Sequence, residues 1–170
     1  MDTDTLFNRL QENVEVITGL IRNLPAEQVS WKPAPEKWSI LEVVAHLLDE
    51  EREDFRARID GVLHRPLEDW PPIDPEGWVN ERDYASRDLD ETLGTLLAER
   101  QHSVTWLRSL EEPDWEATYE HPKLGSLRAG DLLASWLAHD FLHIRQLNKL
   151  HWQYHRRNVR PYDVSYAGGW

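Results

Sequence analysis

The chain of 170 residues contains no cysteine. Disulfide scaffolds, thiolate zinc sites, iron–sulfur clusters and a cysteine nucleophile are therefore excluded, and any thiol taking part in chemistry must arrive as a small molecule. Positive charge is also scarce. Nineteen Lys and Arg stand against 31 Asp and Glu, a net charge of −12 that argues against general affinity for nucleic-acid phosphates or anionic lipid. No apolar run approaches the roughly 20 residues of a membrane span, and residues 1–10 lack the basic start and apolar stretch of a signal peptide. The expectation is a cytoplasmic protein with no nucleic-acid or membrane partner. A phosphate-cradling glycine loop, a G-x-S-x-G elbow, a fixed-period repeat and a low-complexity tract are missing too. The length fits one domain over residues 1–170, with enough chain to bury a core unaided. The nine Trp read first as core or anchoring residues.

What is present is helical spacing of apolar residues, in four segments at about 4–23, 39–59, 88–110 and 126–150. Leu6, Leu10, Val14, Ile17 and Ile21 line one side of the first, which Pro25 stops. Ser39-Ile40-Leu41-Glu42 is a capping box opening the second, and Ile40, Val43, Val44, Leu47, Phe55 and Ile59 carry its stripe towards a left-handed stop at Gly61. Asp88 followed by Glu91 opens the third, and Leu132, Leu133, Trp136, Leu137, Ile144 and Leu147 mark the fourth. Val and Ile never alternate with polar residues over a long run, so strands are not expected. Four such stripes must bury one another, which predicts an all-α four-helix bundle. The 28-residue connection 60–87 holds four prolines and exceeds an ordinary bundle loop, so at least one crossover is expected. The tail 151–170 is aromatic and basic, suited to packing on the bundle or reaching a second subunit.

The chemistry-bearing pattern is His139-Asp140-Phe141-Leu142-His143. Residues four apart share a helix face, so two imidazoles can hold one ion. With Leu132 at zero, the apolar arc covers roughly 0–140°, His143 falls near about 20° and His139 near about 340°. Both lie inside or at the border of the buried face. Gln146 lies beside them and could orient one. His151 and His155 repeat the spacing where the apolar stripe has run out, and suit aromatic packing or solvent. A zinc-type site needs a third protein ligand. His46 and His102 are the helical candidates, with periodicity favouring His46 slightly. Glu50, one turn after His46, reads as a further ligand, a water-orienting base, or one of the surface acids around Glu51 and Glu53. A zincin is not matched, because Asp140 stands where the glutamate would be, and a di-iron bundle would need Glu-x-x-His twice.

Residues 24–47, with Trp38-Ser39 ahead of a helical His46, resemble the approach to the second helix of the DinB-like superfamily. Residues 125–147, with H-x-x-x-H followed by Gln146, are similar to its fourth helix. The resemblance weakens in 60–87 and after His151. It implies an up-down-down-up bundle with long connections between helices 1 and 2, 2 and 3, and 3 and 4. It implies a divalent metal, zinc or nickel, on His46, His139 and His143, and a homodimer. Characterised relatives it points to are metal-dependent transferases or isomerases that use a low-molecular-weight thiol. An ion on three neutral imidazoles would lower the pKa of a bound water or thiol, so the expectation is a metal-dependent transferase or hydrolase that activates a small thiol or water against a small electrophile, with Glu50, Asp140 and Gln146 as candidates for orienting groups or handling protons. The competing expectation is a non-enzymatic, metal-stabilised helical dimer that acts as a binding or stress-response module.

Overall fold

The computed structural model describes residues 2–170. Its elements in chain order are α1 (Thr3–Ile21), α2 (Ala26–Ser30), α3 (Ile40–Glu50), a π-helical segment (Glu51–Phe55), α4 (Arg56–His64), α5 (Trp78–Glu81), α6 (Leu89–Ser109), strands β1 (Thr118–His121) and β2 (Gly125–Arg128), and α7 (Ala129–Asn158). Three-residue 3₁₀ turns sit at Tyr84–Ser86 and Ser165–Ala167. The caps follow the sequence signals. Asp2 and Asp88 accept from the amides of Thr5 and Glu91, and Ser39 and Glu42 complete the capping box in both directions.

Four rods pack together: α1, the continuous α3–π–α4 run, α6 and α7. One apolar cluster joins Val14, Ile17 and Ile21 to Ile40, Val43, Leu47, Leu93, Leu96, Leu147 and Leu150. The other joins Phe7 and Leu10 to Phe55, Ile59, Val104, Leu107, Leu133 and Trp136. Following each rod from one cluster to the other gives the directions. The first and fourth run one way and the second and third run the other, an up-down-down-up bundle. Parallel second and third rods force the segment between α4 and α6 to travel the bundle's length. That crossover is fastened to α3. The Tyr84 hydroxyl donates to Asp49 Oδ2 at 2.7 Å, Arg82 Nη1 donates to the same oxygen at 2.9 Å, and Trp78, Val79 and Tyr84 pack on Ala45.

Several expectations need correction. The second rod does not stop at Gly61, because the helix continues to His64. Nor is it regular. A π turn over Glu51–Phe55 interrupts it, and Phe55 and Ile59 remain buried on the core side. The fourth helix begins at Ala129 rather than near Ser126 and runs on to Asn158, taking up much of the expected tail. Residues 118–128 form an antiparallel hairpin where no strand was expected. Its strands hold four residues each, too few to display a period of two, and Gly125 closes the turn at φ 77°, a left-handed conformation suited to glycine. The tail packs on its own bundle, with Trp31 against Tyr154 and Trp152 against Trp170.

At the bundle's centre Arg100 is 1% exposed. Its Nη1 and Nη2 donate to Asp140 at 2.7 and 2.9 Å, its Nε donates to both Glu51 oxygens at 3.0 Å, and Nη1 also reaches the Leu10 carbonyl. Trp136 Nε1 donates to Glu51 and Asn13 Nδ2 to Asp140. Every rod is tied to this network. Removing one partner of a buried ion network strands the remaining charges, at a cost of about 3–5 kcal/mol. Arg100→Met is therefore expected to lower the unfolding free energy by about that amount. Chemical denaturation would read this, and a loss below about 1 kcal/mol would contradict a structural role for the network.

Candidate metal centre

His46 is on α3, one turn before the π segment, and His139 and His143 are one turn apart on α7. Adjacent packing of these rods brings the three rings together. His139 Nε2 lies 3.3 Å from His46 Nε2 and 3.0 Å from His143 Nε2. The three rings are the one group of three or more such ligand residues among the described residues, with ligand atoms all within 4.8 Å. Four-coordinate zinc with Zn–N near 2.0–2.1 Å separates its ligands by about 3.3 Å, so the spacing fits a shared ion. Trp38 lies against His46 at 4.8 Å between ring centroids, and Phe55 against His139 at 5.1 Å, which keeps the surroundings apolar.

Proton accounting points the same way. His143 Nδ1 donates to Gln146 Oε1 at 2.8 Å, which leaves a lone pair on Nε2. His139 Nε2 faces two nitrogens and can donate to only one. The buried Nδ1 of His46 has no hydrogen-bond partner. Three nitrogens held this close satisfy one another poorly, whereas a shared cation would accept all three lone pairs. Burial foremost, and then the neighbouring rings, push His46 down to about 2. Burial also pushes His139 down to about 3 and lowers His143, so the rings are neutral ligands at ordinary pH.

The other expected site residues are placed differently from one another. Gln146 bonds the ring of His143. Asp140 is fully buried and spends its oxygens on Arg100 and Asn13, not on an imidazole. His102 is exposed on α6, His151 pairs with Gln28, and His155 is exposed.

The acidic run after His46 is not a surface face, contrary to the simplest reading of its charges. Asp49, Glu50 and Glu51 are 4%, 5% and 1% exposed. Crossover arginines and Tyr84 satisfy Asp49, and Arg100 and Trp136 satisfy Glu51. Glu50 is left with an unpartnered oxygen. Burial, reinforced by Asp54, raises it to about 8. Sequence spacing could not have sorted these three neighbours, because all three are buried and their partners come from distant segments.

Two outcomes follow from this geometry. Gln146→Leu should weaken metal binding about 10–100-fold, measured by competition with a chromogenic chelator, because Nδ1 loses the acceptor that holds the ring and its tautomer. The raised Glu50 lets the folded state bind a proton that the unfolded state releases above about 4.5, so this contribution to stability is lost as pH rises through about 8. In chelator-treated protein, the melting temperature of Glu50→Gln relative to wild type should therefore improve between about pH 5 and about pH 8.5. A pH-independent difference would contradict the shift.

Comparisons with known proteins agree with this geometry. A relative from Oceanobacillus iheyensis is 24% identical over 153 residues, covering 87% of this chain and 87% of its own, and one from Bacillus cereus is 28% identical over the same length, covering 88% and 87%. Both carry names describing candidate metal-dependent hydrolases. Among solved structures, YfiT from Bacillus subtilis superposes with a TM-score of 0.79 at 19% identity, covering 89% of this chain and 87% of that one. YfiT is described as a candidate metal-dependent hydrolase with an unusual four-helix bundle topology, and at that identity the likeness shows the fold. The DinB superfamily model matches residues 9–147, a span that includes all three histidines and part or all of each rod. The chain belongs to the DinB superfamily.

Proposed function

We propose that this protein is a metal-dependent hydrolase or transferase, in which His46, His139 and His143 hold a divalent ion that activates water or a small thiol against a small electrophile. The convergence of three neutral Nε2 atoms, 3.0 and 3.3 Å apart about His139, carries this reading. The names of the relatives support the hydrolytic form. An all-imidazole set suits zinc or nickel, and neutral ligands leave the ion its full charge. An ion held there would supply Lewis acidity, lowering the pKa of a water or thiol that reaches it.

The protein's own groups divide the remaining work. Gln146 holds His143 in the tautomer that presents Nε2. Trp38 and Phe55 exclude water from the edges of the His46 and His139 rings, which strengthens electrostatic interactions inside. Arg100 clamps Asp140, the neighbour of His139, and so fixes the rotation of α7. Glu50 is one turn from His46, buried and without a cation at its free oxygen, and we place it as the group that takes up or returns the proton. A thiol form of the reaction would need the thiol as cosubstrate, since the chain has no cysteine.

The test is turnover of activated esters in water, and of small electrophiles with added low-molecular-weight thiols, before and after chelation. Activity should vanish with chelator, return with zinc or nickel, and be absent from His46→Ala. Metal at 100 times its dissociation constant should also stabilise the wild type by about 2.7 kcal/mol, and the variant should lose this gain. Full turnover by metal-free protein would overturn the reading. A thermal shift without turnover of any substrate would favour a metal-stabilised binding module.

A further inference from the structure

A cavity of about 410 Å³ lies between the segment 33–38 and the C-terminal half of α7. Sites for small molecules run to about 300–1,000 Å³, so its size is suitable. Two of its wall residues touch the metal ligands directly. Trp38 lies against His46, and Gln146 holds His143. Its charged residues are Lys37 and Lys149, and no carboxylate lines it. That is unusual in a chain with 31 acidic and 19 basic residues.

Most cations of this protein are neutralised locally. Lys32 pairs with Glu42, Arg58 with Asp54, Arg82 with Asp49 and Glu53, and Arg128 with Glu116 and Asp131. Neither Lys37 nor Lys149 has such a partner within 4.0 Å among the described residues. The positive character also continues outwards. Gln153 lines this cavity and a second one that holds Arg156 and Arg160.

We infer that this cavity receives the anionic end of the substrate, a small organic molecule bearing a carboxylate or phosphate, with Lys37 and Lys149 as its counter-ions. The inference rests on the proposed enzymatic reading for where the other end of that molecule goes. Trp38 and Leu150 supply apolar wall for the stem between the two ends. The global charge of −12 does not cancel this attraction, because charges farther than about 8–10 Å are largely screened at physiological salt. Two unpaired ammonium groups can instead make charge-assisted hydrogen bonds at short range.

Calorimetric titration of the full chain with succinate and with inorganic phosphate tests this, after chelator treatment so that no ion contributes. One-to-one binding that weakens with salt is expected from at least one probe, and which probe binds assigns carboxylate or phosphate. Lys37→Gln/Lys149→Gln should weaken that binding about tenfold or more, whereas Lys123→Gln, in the distant hairpin turn, should not. Melting temperatures of the variants would confirm that both fold. Failure of both probes to bind, or unchanged binding in the double variant, overturns the inference. If that failure accompanies chelator-sensitive turnover, only this inference falls. If the lysine-dependent binding is present but no metal supports turnover, the cavity assignment stands and the enzymatic reading falls.

Discussion

The bundle closes around one guanidinium that water does not reach. Burying a single charge costs several kcal/mol unless partners replace its hydration, and Arg100 is surrounded by acceptors from three other parts of the chain. Glu51 comes from the π segment, Asp140 from α7 and the Leu10 carbonyl from α1. A guanidinium is planar with donors in fixed directions, so these partners must take set positions relative to α6. Asp140 precedes Phe141 and follows His139, so its placement sets the rotation of α7 that turns His139 and His143 towards α3. The π turn does the corresponding work on the second rod. It presents Glu51 to Arg100 while leaving His46, one turn earlier, facing α7.

Electrostatics around the site are unequal by construction. Two carboxylates meet one guanidinium at the centre, leaving a net negative charge buried beside three neutral imidazoles. Asp140 acts on His143 and Arg100 on His139 in opposite senses, while burial dominates both rings. The rings stay neutral and available as ligands. Glu50 is the exception among the adjacent acids. Asp49 and Glu51 are matched by arginines in salt bridges, whereas burial raises Glu50 to about 8. A buried acid with a displaced pKa one turn from a histidine that could hold a metal is a common arrangement where protons are moved during catalysis.

The match to the DinB superfamily covers residues 9–147, and the set of three histidines lies inside that span. It does not account for the surface outside that set. The cavity by Lys37 and Lys149 joins the loop ahead of α3, inside the matched span, to the C-terminal half of α7, where Lys149 lies just past that span. Such loops and extensions are where relatives with one scaffold differ in what they bind, because they are free of the packing demands on the rods.

Periodicity, capping and spacing were enough for the four rods and for the pair on α7, because they are local properties: residues three and four apart share a face whatever lies opposite. Ser39 and Glu42 marked where the second rod starts, and His139 and His143 announced themselves on a buried arc. Distance along the chain hides everything else. His46 competed with His102 until a family resemblance separated them, since a residue's own helix says little about which ring faces it from 93 positions away. The hairpin at 118–128 was too short to show its period, and the π turn redirected the side chains after Glu50 through a change of phase that no local pattern announces. Which of Asp49, Glu50 and Glu51 would find a cation was decided only by tertiary packing, because their partners come from the crossover, from α6 and from α7. Helix faces are encoded residue by residue, but the pairing of charges and ligands between faces exists only once the rods have met.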